Sequence, residues 1–325
     1  MGDFIIRKVT DADVDSLVQL YCEVWPELKA IHQQKANFVL RESTGVSYCA
    51  EKEGKIVGSR TSFFMPVFYG SRKLNCVQFA DSCIHDSCRR QGLFLKLNQA
   101  FLNDFFNEKG GELVYNISVQ ASKNAYEKLG WVYIESLALF DKYARPLNIL
   151  KKTKFDIRKL HGQVREDLET EVHEIDSRLL DARNKWFQGK ELIHVDYTPE
   201  TFQWRMKSGN GIKMFQVEGV GCAIYKISYK ECGIKILTLG DFFLYDYTKE
   251  NLKKLEKALR KHEEPDRIIG YFTLSHPLFE LMGECHYRGG KRFLFHGVKV
   301  VTDEMREICL NPKNWAISFL DIDTF

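Results

Sequence analysis

At 325 residues the chain is long for a single core, and 44% hydrophobic with 28% charged residues marks a folded globular protein of two domains, not a disordered one. A net charge of +3 is too small for the basic face that nucleic-acid binding needs, and no run of about 18 apolar residues could span a bilayer. The start, MGDFIIRKVTDADVD, has no apolar leader region, so a cytoplasmic protein with no membrane or nucleic-acid partner is expected. Residues 4–9 read as a strand. Thr10-Asp11 then open a helix to residue 23, with Val14, Leu17, Val18 and Tyr21 at helical spacing. A second helix is expected over 27–41. Strands follow over 46–51, 55–68 and 73–84, with Gly54, Gly70 and Ser71 in the turns. The helix after Gly92 spaces Leu93, Leu97, Phe101 and Phe105 four apart and ends at Gly110-Gly111. A strand over 112–118, a short helix over 122–129 closed by Gly130, and a strand over 131–143 complete the order β-α-α-β-β-β-α-β-α-β.

The second half repeats part of this order. Residues 211–217 and 221–228 read as a hairpin, and 233–243 as a long strand. A helix over 248–262 carries Leu252, Leu255 and Leu259 on its apolar side, and 267–274, 276–282 and 291–300 follow as strand, short helix and strand. The expected organisation is a first domain over 1–145, a linker over 146–170 that includes the basic KKTKFDIRKLHGQ, and a degenerate second copy over 171–325. That duplication rests on element order alone.

Nine cysteines, odd in number and scattered, read as reduced thiols. The closest group, Cys76, Cys83, His85 and Cys88, lacks paired CxxC spacing, so no metal site is expected. Neither a GxxxxGK[ST] loop nor a dinucleotide fingerprint occurs, since Gly219-Val220-Gly221 sits in a hairpin turn.

The informative stretch is CIHDSCRRQGLF, Cys83 to Phe94, between an apolar strand and an apolar-faced helix. At a helix start several backbone N–H groups lack acceptors, and their dipoles favour an anion. Gly92 lets a ligand come close to the backbone, and Arg89 and Arg90 add charge. On residues alone, an exposed basic turn and a phosphate cradle stand level.

CIHDSCRRQGLFLKL resembles motif A of the GNAT superfamily, the acyl-CoA-dependent N-acyltransferases. In that motif an apolar strand ending V-x-P-x-x leads through [RQ]-x-x-G-x-[GA] into a helix. Ile84 stands for the valine, Arg89 for the first basic or amide residue, and Gly92 for the central glycine. Asp86 replaces the usual proline and Phe94 the last small residue. A second element, SKNAYEKLGW, resembles the family's N-x-x-[SA]-x-x-x-Y-x-x-x-G-[FW] helix and strand. The resemblance covers about residues 1–145 and implies an α/β (α+β) mixed-sheet fold, with two GNAT-like domains in tandem.

It further implies that Cys83, Ile84, Arg89, Arg90, Gln91, Gly92, Leu93 and Phe94 hold acetyl-CoA or another acyl-CoA by its pyrophosphate and arm. Asn124 would touch the pantetheine, and Tyr126 would face the thioester sulfur as proton donor. Tyr126 has a plain alternative, packing beside Trp131. Many family members carry a glutamate base in the strand before the loop; here Gln78 is near that place and Asp81 is the only carboxylate inside the strand. Asp81 is either the base or a structural acceptor, and His85 is a further candidate.

In the second half Asp241, Asp246 and Glu250 stand where the first has Arg89, Arg90 and Gln91, so that copy should not take coenzyme A. Trp186, Trp204, Tyr225 or the tail NPKNWAISFLDIDTF could wall an acceptor pocket, or Asp321 and Asp323 are simply solvated. The expected activity is N-acetyl transfer to a small amine or amino sugar, by a monomer or homodimer. A non-catalytic acyl-CoA sensor or scaffold and a protein or peptide acetyltransferase are the alternatives.

Overall fold

The computed structural model describes residues 4–26, 47–207 and 211–323, so the helix expected over 27–41 lies outside them. Thr10 opens the first helical segment as its residue type predicts. Its backbone N–H and hydroxyl donate to the Asp13 carboxylate, which Arg7 also grips at 2.8 Å. These contacts hold the Asp13 carboxyl well below the usual carboxylate range, Arg7 contributing most.

In chain order the first half runs β1 (Ile5–Lys8), α1 (Val14–Val24), β2 (Tyr48–Lys52), β3 (Lys55–Phe64), β4 (Val67–Tyr69), β5 (Arg72–Lys73) and β6 (Cys76–Ile84). It continues through α2 (Leu93–Asn103), β7 (Leu113–Ser118), α3 (Gln120–Lys128), β8 (Val132–Ile134) and β9 (Leu137–Tyr143). Next come α4 (Pro146–Thr153), β10 (Val164–Glu166), α5 (Ser177–Phe187), β11 (Ile193–Val195), α6 (Pro199–Lys207), β12 (Lys213–Val217), β13 (Gly221–Lys230) and β14 (Lys235–Leu244). The chain closes with α7 (Lys249–Glu263), β15 (Arg267–Thr273), α8 (Leu278–Glu284), β16 (Arg288–Phe293), β17 (Phe295–Val300) and α9 (Asp303–Cys309).

One sheet has the order β1-β2-β3-β6-β7-β17-β8, antiparallel except at β6–β7. A second has the order β10-β13-β14-β15-β9-β16, with β12 also on β13, and is parallel only at β14–β15. Each parallel pair is joined by a crossover helix, α2 or α7, as parallel strands require. The stretch 146–170 contributes α4 and the edge strand β10. Pro66 cannot donate to a ladder, so the strand predicted over 55–68 ends at Phe64, and β4 joins a small sheet with β5 and β11.

Two predicted strands are each two strands, in different sheets. The segment 131–143 divides into β8, in the first sheet, and β9, between β15 and β16 in the second. The segment 291–300 divides likewise, β16 staying in the second sheet while β17 enters the first between β7 and β8. The chains cross where Ser136 Oγ lies 2.6 Å from His296 Nδ1, both buried, and Leu294 N–H donates to the Leu137 carbonyl. Gly297 permits the close approach, since a Cβ there would lie 2.6 Å from Asn116 Oδ1. Hydrophobic alternation is the same in either sheet, so periodicity could not reveal the exchange.

The largest core lies between the sheets and joins Leu113 and Tyr115 to Leu179, Phe202, Phe243 and Trp315. On the first sheet, α2 and α3 cover one face, with Leu93, Leu97 and Phe101 against Val77, Phe79 and Val114. Helix α1 sets Leu17, Leu20 and Tyr21 against Cys49, Ile56 and Cys83.

Candidate active site

Strand β6 pairs with β7 only from Cys76–Leu113 to Gln78–Tyr115, and beyond that the two diverge. The cause lies on the other side of β6. There the register against β3 shifts, Arg60 opposing Ser82 and Thr61 opposing Ala80, which leaves Asp81 as the extra residue of a β-bulge. Its φ of 28° is in the left-handed region, and a bulge bends its strand away from a neighbour. The divergence opens a cleft of about 610 Å³, lined by Ile84, Arg90, Gly92 and Phe94 on one side and Ser122 and Ala125 of α3 on the other.

The loop into α2 is tightly folded. Arg89 donates from Nε to the Ile84 carbonyl at 3.3 Å and meets Asp86 at 2.7 Å, while Gln91 donates to the Ser87 carbonyl. Arg90 and Gly92 are both left-handed, with φ of 61° and 75°. A Cβ at Gly92 would meet nothing within 4 Å, because that side faces the opening. No described side chain caps α2, and its first turn has no acidic residue. Its leading N–H groups therefore present partial positive charge, beside exposed Arg89 and Arg90. This suits a pyrophosphate.

The corresponding helix of the second sheet is closed. Thr248 Oγ1 accepts from Asn251 N–H at 3.2 Å, and Glu250 lies in the first turn of α7. The divergence of β14 and β15 is filled by the chain's own tail. Thr273 N–H donates to the Ile317 carbonyl at 3.0 Å, and Ser318 bridges Phe272. Asp321, one of two tail aspartates weighed as solvated, is fully buried: Tyr197 donates to its Oδ1 at 2.7 Å, and burial pushes its carboxyl pKa up. Gln78 and Tyr115, the last pair before the first divergence, both donate to the Asp321 carbonyl at 3.3 Å.

Of the predicted cofactor residues, Cys83, Ile84, Arg89, Arg90, Gly92, Leu93 and Phe94 line the cleft; Gln91 and Asn124 are not among its lining residues. Helix α3 turns Ser122 and Ala125, three apart, to the opening, and Val119 just before the helix also borders it. That spacing was the available signal for Ser122. Burial pushes the Cys83 thiol up to about 12. Cys76, Cys83 and Cys88 enter three different cores, and among the described residues no three potential metal ligands gather.

Tyr126 is 3% exposed and packs beside Trp131, ring centres 4.8 Å apart, and edge-on to Phe94 at 5.2 Å. Its hydroxyl accepts from Arg60 Nη2 at 2.6 Å. Burial pushes the phenol pKa up, and Arg60 opposes that shift. Arg60 escaped the sequence reading because an arginine inside the apolar run IVGSRTSFF carries no motif. Asp81 is half-buried, on the side where its charge bears on Tyr21 and Cys83 beneath α1.

The family model of the GNAT acetyltransferase domain matches residues 5–134. No curated protein matches the sequence. Among solved structures, a GCN5-related N-acetyltransferase from Anabaena variabilis superposes with a TM-score of 0.65 at 13% identity, covering 92% of this chain and 73% of that one. Another from Kribbella flavida gives 0.61 at 12% identity, covering 92% and 71%. A GCN5-related glucosamine N-acetyltransferase region of a fungal multi-domain β-N-acetylglucosaminidase gives 0.53 at 13%, covering 92% and 38%. At such identities these likenesses establish the fold alone, and the family match is confined to residues 5–134. Residues 5–134 are thus similar to a GNAT acetyltransferase domain, and the chain shares its fold with GCN5-related N-acetyltransferases.

Proposed function

We propose that the protein transfers an acetyl group from acetyl-CoA to the amine of a small molecule or amino sugar, with one active site per chain. The observation that carries this reading is the cleft at the β6–β7 divergence, bordered by the uncapped, basic start of α2. The chain's residues fit the donor. The amides of α2 and the arginines take the pyrophosphate, and the diverging strands admit the thioester arm. The repeated strand order supports reading 171–325 as a related unit whose own opening is filled by the tail.

Attack by the acceptor nitrogen forms the C–N bond, and collapse of the addition product breaks the C–S bond. Asp81 takes the proton released from nitrogen, and Tyr126 gives one to the departing sulfur. Solvent then returns a proton from Asp81 to Tyr126, which balances the cycle. A thiol held near pKa 12 keeps Cys83 protonated, which favours direct attack over an acyl-cysteine intermediate. The acceptor's class draws support from the fungal glucosamine N-acetyltransferase region that shares the fold.

Calorimetry with coenzyme A on Gly92→Glu and Gly92→Ala tests the donor site. Both variants strain a φ of 75°, a cost of about 1–2 kcal/mol. Only the glutamate should abolish binding, by placing an anion where the phosphate sits. Equal affinity in Gly92→Glu and the native protein would overturn the assignment.

A further inference from the structure

Arg60 is 1% exposed, and among the described residues no carboxylate lies within salt-bridge distance of it. A buried cation without a counter-ion is costly, so its contacts indicate what it is for. It leaves β3 and crosses over β6, donating from Nη1 to the Ala80 carbonyl at 3.2 Å, one residue before the bulge. Its guanidinium carbon stands 4.5 Å from the Phe79 ring centre and 5.6 Å from those of Phe94 and Tyr126. The aromatic faces hold the cation in place of a carboxylate. Its remaining strong contact is the 2.6 Å bond to Tyr126 Oη.

We infer that Arg60 is a positioning residue for the transfer, one that aims the Tyr126 proton at the departing sulfur and holds the phenolate that remains. The inference rests on the proposed role of Tyr126 as proton donor. Arg60 has no acceptor to offer, so in its bond with Tyr126 the phenol oxygen must accept. The phenol's own hydrogen is thereby left for another partner. When that proton passes to sulfur, the O–H bond breaks, an S–H bond forms, and the phenolate stays beside a fixed positive charge. The guanidinium keeps its protons throughout. A phenol in an apolar pocket alone would resist this step, because burial disfavours its anion; Arg60 opposes that effect where the anion forms. A carboxylate near Arg60 would have cancelled the effect, which accounts for the aromatic surroundings.

The test replaces Tyr126 by 3,5-difluorotyrosine, a more acidic phenol, in the full chain and follows its fluorine resonance with pH while coenzyme A is bound. In Arg60→Met the fluorophenol should titrate at least about one pH unit higher, a tenfold weaker acid. Arg60→Lys should fall between. Unfolding midpoints and coenzyme A affinity report whether each variant is folded, and Arg60→Gln serves if Arg60→Met is not. A merely structural arginine would change those midpoints and leave the titration where it was, and that result overturns the inference. Turnover of Tyr126→Phe, with an amine found by thiol release from acetyl-CoA, is read separately. If it equals the native rate, the proton-donor reading fails, whatever the fluorine titration shows.

Discussion

Cys83 borders the cleft, yet its environment argues for inertness. Its Sγ lies 3.4 Å from Ser59 Oγ among apolar neighbours, and burial dominates the rise of its pKa to about 12. At pH 8 only about one thiol in ten thousand is ionised at such a pKa. Cys83→Ala should therefore keep its turnover within a few-fold, and mass spectrometry after acetyl-CoA treatment should find no acetyl group on this residue. A trapped acetyl-cysteine would instead demand a two-step mechanism. The sequence could point to Cys83, Arg89, Gly92 and Phe94, all of which line the cleft, because the motif they resemble is contiguous. It could not rank Arg60, whose meaning depends on Tyr126, 66 residues away. It also placed Asn124 at the opening, whereas α3 turns Ser122 and Ala125 that way.

Among the elements, the crossing of β8–β9 with β16–β17 is the most exposed to pH. His296 is fully buried there, against Trp315 at 4.4 Å, and burial lowers its pKa to about 3 from an ordinary 6.5. Between those values the unfolded chain binds a proton that the folded chain refuses. Folding stability is thus lost as pH falls below about 6.5, by at most about 1.4 kcal/mol per unit, until the folded imidazole titrates near 3. His296→Gln removes the titration, so its unfolding free energy should fall less steeply between pH 6.5 and 4 than that of the native protein. Parallel slopes in urea titrations of the two would show that the junction does not sense acid. Element type was legible through most of the chain, because helical and alternating spacing are local properties. Partner choice was not: a strand of seven residues such as β9 carries the same pattern whichever sheet receives it.

For the whole molecule, neither sheet is complete within one half of the chain. The first needs β17 to join β7 to β8, and the second needs β9 to join β15 to β16. A fragment of residues 1–145 would present an unfilled slot in its sheet, with open edges prone to association. It should not yield a folded monomer. The intact chain should unfold in one step, with tryptophan fluorescence and far-UV circular dichroism coinciding along a urea gradient. Two separated transitions would mean that the halves stand independently despite the exchange. A repeated run of elements was legible in the sequence; the exchange of strands escaped it because that run is the same with or without a swap.

The exchange also sets a timetable for synthesis. A ribosome delivers the residues that line the cleft, the loop at Gly92 and Tyr126 well before β17, at residues 295–300, emerges. Until then β7 has its slot open, and the nascent sheet must wait unfinished while the second half is made. A chain stalled or cut short before residue 295 therefore carries every residue that lines the cleft and still lacks the strand that joins β7 to β8. The sheet that carries the cleft is thus finished long after the cleft's lining has been made, so an interrupted chain never presents it whole.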